Sequence, residues 1–403
     1  MSGRGGPNAA AAPSRFPHVS IAALGLVTVA AYGAAYYAFG VLLGPILDDT
    51  GWSEALVAGA FSASTLIGAF GAVVAGRLVD AYGARRVMLG GGLSGCVALM
   101  IAAWAPNVAV FVPAYAVGGG LLSAAGFYHV TQAAASRISS KDPARGIMLL
   151  TLYGAFAGPI YLPITGFLVE ATDWRTTLMT LAAISLGGFA LAASALDGTR
   201  STAGKRWPTP SIRKALNDPL ARGLMISALI GGVGLSTLMV YQVPLMVAAG
   251  LPLSTAAVVT GLRGFAQFGG RLGVMPLLSR VPAQRLLMGT YLLAGVAALL
   301  LSFSGTVPMA VVYVVIAGVA IGVWSPMEGI FANEVFPPER IATFLGTQRM
   351  IGGIGGAIGP VTAGILAETS GSRAPTIVLA ALATFAAAAV LAMAERGARR
   401  VRG

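Results

Sequence analysis

The sequence predicts an all-α integral membrane protein whose twelve transmembrane helices form two six-helix bundles. Three observations lead to this prediction: the composition, the number of long apolar runs, and a repeat between the two halves of the chain. Of the 403 residues, 56% are hydrophobic and only 10% are charged, whereas about a quarter of the residues of a soluble domain are charged. This composition is typical of a protein embedded in a lipid bilayer.

Twelve apolar runs have about the length of 20 residues that an α-helix needs to cross the bilayer core. They cover residues 18 to 45, 56 to 79, 87 to 104, 108 to 135, 145 to 169, 176 to 196, 222 to 249, 255 to 279, 285 to 304, 308 to 335, 342 to 368 and 374 to 394. Their length, and the absence of alternating polar and apolar residues, favour helices over the strands of an outer-membrane barrel.

The segments outside these runs are short, polar and basic. Residues 1–17 are expected to be disordered, and the first run is too long for the apolar core of a cleaved signal peptide. The segment DGTRSTAGKRWPTPSIRKALNDP (197–219) is predicted to be a linker between an N-terminal bundle, 18–196, and a C-terminal bundle, 220–395. A basic tail, 396–403, completes the chain.

The basic residues are distributed asymmetrically among the loops. If the N-terminus is cytoplasmic, 21 of the 26 lysines and arginines lie in cytoplasmic segments, and only Arg175 and Arg373 lie in external loops. This bias indicates that both termini are cytoplasmic. The net charge of +12 is therefore explained by membrane topology and does not indicate nucleic-acid binding.

The sequence offers no basis for an enzyme, a cofactor site or a metal site. Cys96 is the single cysteine, which excludes an internal disulfide or a thiolate cluster. There are only two histidines, and no pattern of paired catalytic carboxylates or of Ser, His and Asp is present. We therefore expect neither catalysis nor a resident cofactor.

The two halves of the chain are similar in sequence. GAFAGPIYLPITGFLVEATDWR (154–175) resembles GGAIGPVTAGILAETSGSR (355–373), and their Gly-Pro pairs are 201 residues apart. A parallel repeat of this kind places a substrate cavity between the halves, near the middle of the bilayer. Because one chain contains both halves, we expect the transport unit to be a monomer.

A polar stripe interrupts the eighth run, GLRGFAQFGGRLG (261–273). At 1.5 Å and 100° per residue, Arg263, Gln267 and Arg271 rise by about 12 Å and turn by about 80° around a helix. An arginine at the centre of a membrane helix costs about 2.5 to 3.5 kcal/mol, so it normally faces water or a counter-charge. The alternative is that the arginines extend to the membrane surface.

Counter-charge is scarce within the predicted helices. Of the fourteen acidic residues, only Glu328 lies well inside a run, whereas Arg263, Arg271 and Arg349 all do. The excess of arginine predicts a positively charged cavity whose counterion is the substrate. The planar guanidinium matches a carboxylate with two parallel hydrogen bonds, so the predicted substrate is a small organic anion.

Aromatic side chains on several runs could line the same cavity. An aromatic residue in a membrane helix commonly serves packing or the interfacial belt instead, and this alternative remains open for each one. The candidates are Tyr32, Tyr36, Tyr128, Tyr153 and Trp324.

The loop after the second run, GRLVDAYGARR (76–86), resembles the signature loop of the major facilitator superfamily. The matching residues are Gly76, Asp80, Gly83, Arg85 and Arg86. The resemblance implies the fold of that superfamily and a conformational latch in which Asp80 contacts helix amides or an arginine of the other half. The alternative is a simple turn with basic topology determinants. The second-half counterpart, MPLLSRVPAQR (275–285), lacks the acid and the glycines.

A narrower resemblance links an arginine in the eighth run with a cation in GTQRMIGGIGG (346–356). This pairing is similar to that in the bacterial oxalate:formate antiporter and related monocarboxylate transporters. It implies that Arg271 and Arg349 bind the substrate carboxylate. Arg263 is an additional cation, and we predict that Gln267 and Arg263 line the path above the anchor. The resemblance also implies a location in the bacterial inner membrane. Glu328 departs from the pattern, because it lies near an expected aromatic position.

His129 and Glu328 are 199 residues apart, close to the repeat offset, so they are expected at equivalent depths. We interpret them as candidates for proton coupling, since burial and a neighbouring arginine shift the pKa of a carboxyl group in opposite directions. The alternatives are a permanent ion pair for Glu328 and a neutral, hydrogen-bonded side chain for His129.

Together these features predict a secondary transporter of small organic anions, chiefly monocarboxylates, that works by alternating access with proton symport or anion exchange. Its expected partners are the anion, protons and the lipid bilayer. Two alternatives remain: efflux of drugs or metabolites by proton antiport, and a sensor on the same fold that does not transport.

Overall fold

The computed structural model describes residues 17–139, 142–196, 218–336 and 341–402. The predicted N-terminal segment and most of the predicted linker lie outside these ranges, so their boundaries stay predictions. Within the described ranges the protein is helical, without strands, as the sequence predicts.

We number the helices α1 to α12 by transmembrane segment, and four of them consist of two pieces. They are α1 (His18–Tyr32 and Ala38–Thr50), α2 (Glu54–Tyr82), α3 (Ala84–Ala103), α4 (Val108–Gly126 and Tyr128–Ile138), α5 (Pro143–Gly154 and Ala157–Ala171), α6 (Trp174–Ala195), α7 (Pro219–Ala248), α8 (Leu253–Gly261 and Arg263–Val274), α9 (Ala283–Leu300), α10 (Val307–Val335), α11 (Ile341–Ser370) and α12 (Ala374–Arg402).

Eleven of the described helices are long and apolar enough to cross a membrane. The exception is α8, whose two pieces have 9 and 12 residues and meet at Leu262, immediately before Arg263. Interrupted helices in transporters occur where the backbone lines a cavity. The remaining interruptions are the π-helical turn Gly33–Tyr37 in α1, the extended residue Phe127 in α4, and residues 155 and 156 in α5.

Within each half, small residues allow the helices to approach closely. A Cβ atom placed on Gly355 of α11 would lie 1.9 Å from the carbonyl oxygen of Leu229 in α7, and one on Gly322 of α10 would lie 2.3 Å from the carbonyl oxygen of Gln267 in α8. Without a hydrophobic driving force between helices in lipid, such backbone contact supplies much of the packing energy. Larger side chains at these two positions would push the helices apart.

Among the described residues the main contacts between the halves join α2 with α11, α5 with α8, and α1 with α7. At the end predicted to be external, an ion pair joins Glu54 of α2 to Arg373, which follows α11. The Arg373 Nε donates to Glu54 Oε1 at 3.2 Å, and a second N–H donates to Oε2 at 3.2 Å. This paired geometry is the strong form of an arginine–carboxylate contact.

Two further contacts at the same end are related by the internal repeat. Glu368, near the end of α11, accepts hydrogen bonds from Ser53 Oγ at 2.6 Å and from the Ala55 amide at 3.3 Å, at the start of α2. Glu170, near the end of α5, accepts from the Ser254 amide at 2.7 Å, at the start of α8. Each carboxylate thus caps a helix of the opposite half. We call these contacts, with Glu54–Arg373, the outer contacts.

The signature loop forms a tight turn between α2 and α3. Gly83 has φ +85°, a conformation that favours glycine, and its amide donates to the Val79 carbonyl at 2.9 Å. Arg85 and Arg86 are exposed in the first turn of α3, and Gly76 faces open space. The side chain of Asp80 lies outside the described part, so the latch stays a prediction.

Candidate functional site

A cavity lies between the halves, among α1, α4, α5 and α8, with a volume of about 70 Å³. One water molecule occupies about 10 to 15 Å³ of such a cavity volume, so the space corresponds to about five waters or a molecule of similar size. The lining residues are Tyr32, Tyr37, Tyr128, Gly154, Ala155, Gly158, Pro159, Thr260, Gly261, Arg263, Gly264, Gln267 and Arg271. No carboxylate is among these described lining residues.

Arg263 is the most deeply buried cation of the site, with 1% of its surface exposed. Its guanidinium donates to Gln242 Oε1 and lies over the Tyr37 ring, with Cζ 5.8 Å from the ring centroid. The Nε atom has no hydrogen-bond partner in the described structure. Burial of the whole side chain shows that Arg263 does not extend to the membrane surface.

Arg271 lies two helical turns further along α8 and lines the same cavity. It is half-buried, and its Nε donates to the carbonyl oxygen of Gly322 in α10 at 3.2 Å. Gln267 lies between the two arginines and also lines the cavity. The stripe of three polar residues expected on α8 is therefore turned toward one space between the halves.

Aromatic rings from the N-terminal half form the opposite wall. Tyr32 stacks on Phe127, with ring centroids 3.7 Å apart, and its centroid lies 5.2 Å from that of Tyr128. The Tyr128 hydroxyl donates to the Thr151 carbonyl at 3.4 Å. Tyr37, which follows Tyr32 and Tyr36 in the first apolar run and was considered with them from the sequence, also lines the cavity.

Three predicted aromatic residues, Tyr36, Tyr153 and Trp324, are not among the described residues that line the cavity. Tyr36 packs against Tyr37 and Phe61, each with ring centroids 5.5 Å apart. Tyr153 is 40% exposed, and a Cβ atom on Gly25 of α1 would lie 2.5 Å from its side chain. Both contacts correspond to the packing alternative.

A second polar cluster lies within the C-terminal half. The Tyr291 hydroxyl donates to Glu328 Oε1 at 3.3 Å, and Trp324 Nε1 donates to the Tyr291 oxygen at 3.1 Å. Trp324 therefore contacts the Glu328 cluster and does not line the cavity. Sequence reasoning missed Tyr291, because nothing in the order of residues on α9 indicates that its ring meets a carboxylate on α10.

Arg349 of α11 is exposed, and the cavity lining described above does not include it. It interacts electrostatically with both Glu328 and Tyr32. In the described part of the chain Glu328 forms an ion pair with neither Arg349 nor Arg271. The side chain of His129 is not described, so its place relative to Glu328 stays a prediction.

The described side chains contain no group of three or more His, Cys, Asp or Glu that could hold a metal ion. The chemistry that the cavity offers is instead that of two guanidinium groups, one amide and several phenol rings. Such a set donates hydrogen bonds and positive charge to an anion.

Comparisons with known proteins support the fold. A sequence profile of the Major Facilitator Superfamily matches residues 25–346 and 250–402. Monocarboxylate transporter 13 of Rattus norvegicus is 26% identical over 331 residues, which cover 80% of this chain and 76% of that protein.

Solved structures show the same architecture. The nucleoside transporter NupG superposes with a TM-score of 0.77 at 14% identity, over 95% of this chain and 99% of its own. A D-xylose-proton symporter superposes with a TM-score of 0.71 at 14% identity, over 93% of this chain and 97% of its own. At this identity the likeness shows the fold alone.

Proposed function

The chain belongs to the major facilitator superfamily of membrane transporters, and from that premise we propose that it carries small organic anions, chiefly monocarboxylates, by alternating access. Transport is coupled to protons or to exchange for a second anion. The protein lies in the bacterial inner membrane with both termini in the cytoplasm, and it transports as a monomer.

The observation that carries this proposal is the charge of the cavity. Two arginines and no carboxylate are among its described lining residues, and a guanidinium removed from water requires a counter-charge. A substrate carboxylate supplies that charge. The volume of about 70 Å³ favours a molecule of a few non-hydrogen atoms, and the similarity to a rat protein named monocarboxylate transporter 13 points to the same class.

The transport cycle follows from the position of the site between the halves. Arg271 binds the carboxylate with its guanidinium, while the aromatic wall of Tyr32 and Tyr128 surrounds the apolar part. Opening toward the predicted external side requires the outer contacts to break and the halves to rock about the cavity. Arg349 completes the anion site when α11 moves toward the cavity, and Glu328 is the proton-responsive group in a symport cycle.

Uptake into liposomes that contain the purified protein tests the proposal. Labelled formate, acetate, propionate, lactate and pyruvate are each measured with and without an inward proton gradient, beside a cationic drug and a nucleoside. We expect saturable uptake of at least one anion and none of the drug. Uptake of the drug alone would favour efflux by antiport, and binding of an anion without uptake would favour a sensor.

The Arg271→Ala variant tests the site itself. A charge-assisted hydrogen bond contributes about 1.5 to 3 kcal/mol, and removal of a desolvated partner costs about 2 to 5 kcal/mol, so substrate affinity should fall by roughly ten- to a thousandfold. Arg271→Lys should restore it only in part, because the ammonium lacks the planar fork. Arg222→Ala, which removes an exposed arginine at the start of α7, is the matched control and should leave affinity unchanged.

A further inference from the structure

Arg263 is a buried cation that is held by neutral partners. The Gln242 side chain, in α7, accepts from the Arg263 guanidinium and from the Tyr313 hydroxyl of α10 at 3.0 Å through the same oxygen, Oε1. Gln242 Nε2 donates to the Met239 carbonyl at 2.9 Å, which fixes the orientation of the amide. The Arg263 head group therefore has a defined position, and no counter-charge is bound to it within the described part of the chain.

Arg263 combines unused bonding capacity with a place in the cavity lining. The residue lines the cavity, is 1% exposed, and its Nε lacks a partner among the described residues. A structural arginine in a protein interior normally has all of its donors satisfied and its charge paired. The orphaned donor and the unpaired charge both point to a ligand that is negatively charged or rich in oxygen.

Arg263 and Arg271 present two separate donors to one cavity. Eight residues on a helix correspond to about 12 Å of rise between their backbone atoms, and both side chains reach the same cavity. Arg271 is fixed by the Gly322 carbonyl of α10, whereas Arg263 is fixed by the side chains of Gln242 and Tyr313. The two guanidinium groups therefore have independent supports.

We propose that Gln242 and Tyr313 are positioning residues that hold Arg263 as a second subsite, so that the substrate is bound at two ends. This inference rests on the proposed function, in which Arg271 binds a carboxylate. The substrate class is then an organic acid that carries a second oxygen-bearing group, bound at Arg263, and a simple fatty acid of the same length binds less well.

Three acids of nearly equal size test this selectivity: propionate, 2-hydroxypropionate and 3-hydroxypropionate. The dissociation constant of each is measured by calorimetric titration of the purified protein. A site built to bond a hydroxyl group discriminates strongly against the analogue that lacks it, so at least one hydroxy acid should bind tenfold or more tightly than propionate. Equal affinities for all three acids would overturn the proposal.

Variants separate the subsite from the carboxylate anchor. Gln242→Glu keeps the shape of the side chain but supplies Arg263 with a counter-charge, so the preference for the hydroxy acid should fall to within about twofold. Arg263→Gln should have the same effect. Tyr313→Phe, which removes one hydroxyl that orients Gln242, should reduce the preference in part, and it keeps the test available if Gln242→Glu does not fold.

Two patterns of failure are distinguishable. If all three acids bind but Gln242→Glu and Arg263→Gln retain the full preference, Arg263 is structural and only the second subsite is wrong. If no acid binds to the folded parent protein, the proposed function itself fails. Arg271→Ala, which should weaken all three acids by a similar factor, confirms that the measured binding occurs at the carboxylate anchor.

Discussion

The outer contacts are expected to set how often the cavity opens toward the predicted external side. Glu368 and Glu170 each cap the first turn of a helix in the other half. Replacement of a helix-capping side chain by alanine costs about 1 kcal/mol, and 1.4 kcal/mol is a factor of ten in an equilibrium constant. Glu368→Ala should therefore increase the population of the outward-open state by about fivefold.

The two capping contacts belong to different helix pairs, so their effects should be nearly additive. We expect the Glu170→Ala, Glu368→Ala double variant to increase the outward-open population by about 25-fold, from roughly 2 kcal/mol. The ion pair of Glu54 and Arg373 is mostly buried, with side-chain exposures of 14% and 26%, and it has the bidentate geometry of a strong pair. Removal of one partner leaves the other charge poorly compensated, so this change should have an effect at least as large as the loss of one cap.

Labelling of a cysteine in the cavity measures this opening. Thr260 lines the cavity and is fully buried, so Thr260→Cys in a Cys96→Ser background becomes reactive only when the cavity opens. The rate of reaction with a membrane-impermeant thiol reagent is followed from the external side of sealed vesicles. It should rise in proportion to the outward-open population.

Glu334→Ala is the matched control, because it removes an exposed carboxylate at the C-terminal end of α10. That end of the helix is predicted to be cytoplasmic, whereas the outer contacts lie at the end predicted to be external. Its labelling rate should equal that of the parent. An unchanged rate in the Glu170→Ala, Glu368→Ala variant, with the melting temperature of the parent, would show that these carboxylates do not hold the halves together. The closed state would then depend on the apolar packing of α2 with α11 and α5 with α8.

Three further outcomes are expected. Glu328→Gln should retain exchange of bound substrate but lose acceleration by an inward proton gradient, and gradient-driven uptake equal to that of the parent would place the coupling elsewhere. Asp173→Ala should lower stability at pH 7 by about 1 kcal/mol, because Asp173 caps α6 through the Thr176 amide at 2.9 Å. That hydrogen bond also lowers the pKa of Asp173 below its ordinary value, so the difference between parent and variant in thermal melts should be present at neutral pH and disappear as the pH falls through that lowered pKa. Ser201→Cys should react with an impermeant reagent only from the cytoplasmic side, and labelling from outside intact cells would reverse the predicted topology.

The sequence alone was sufficient for the architecture. Hydropathy identified twelve spans, and all of them are helical in the structure, although α1, α4, α5 and α8 are each interrupted. This success has a local cause. The free energy of transferring a side chain into lipid depends on the chemistry of that side chain. A run of apolar residues is therefore enough to identify a membrane span, whatever helices pack beside it.

The same local argument located the arginines of α8. The free energy of burying an arginine in lipid is so unfavourable that these residues need a polar environment wherever the helix lies. The helical repeat was enough to place Arg263, Gln267 and Arg271 on neighbouring faces of the helix. The loop that resembles the family signature was recognisable because its turn needs glycine at a defined position, and Gly83 has the corresponding positive φ. Which side-chain partners the arginines meet did not follow from these patterns.

Those partners were decided by the tertiary structure. Arg263 donates to Gln242 of α7, and the same Gln242 oxygen accepts from the Tyr313 hydroxyl of α10. Tyr153 lies against Gly25 of α1 and is not among the residues that line the cavity. Helix rotation and crossing are set by close contacts of small residues along the whole length of each pair, and no short segment of sequence contains that information.

The outer contacts illustrate the difference most clearly. The sequence showed Glu170 and Glu368 as acidic residues near helix ends, where a carboxylate is commonly solvated. In the folded chain Glu368 reaches residues more than 300 positions away, and Glu170 reaches the start of α8. The sequence by itself determined that these charges lie at the membrane surface, because lipid excludes them. Only the packing of the two halves determined that each carboxylate caps a helix of the opposite half. A carboxylate accepts a hydrogen bond from an unpaired helix amide only when the fold brings the two groups within about 3 Å.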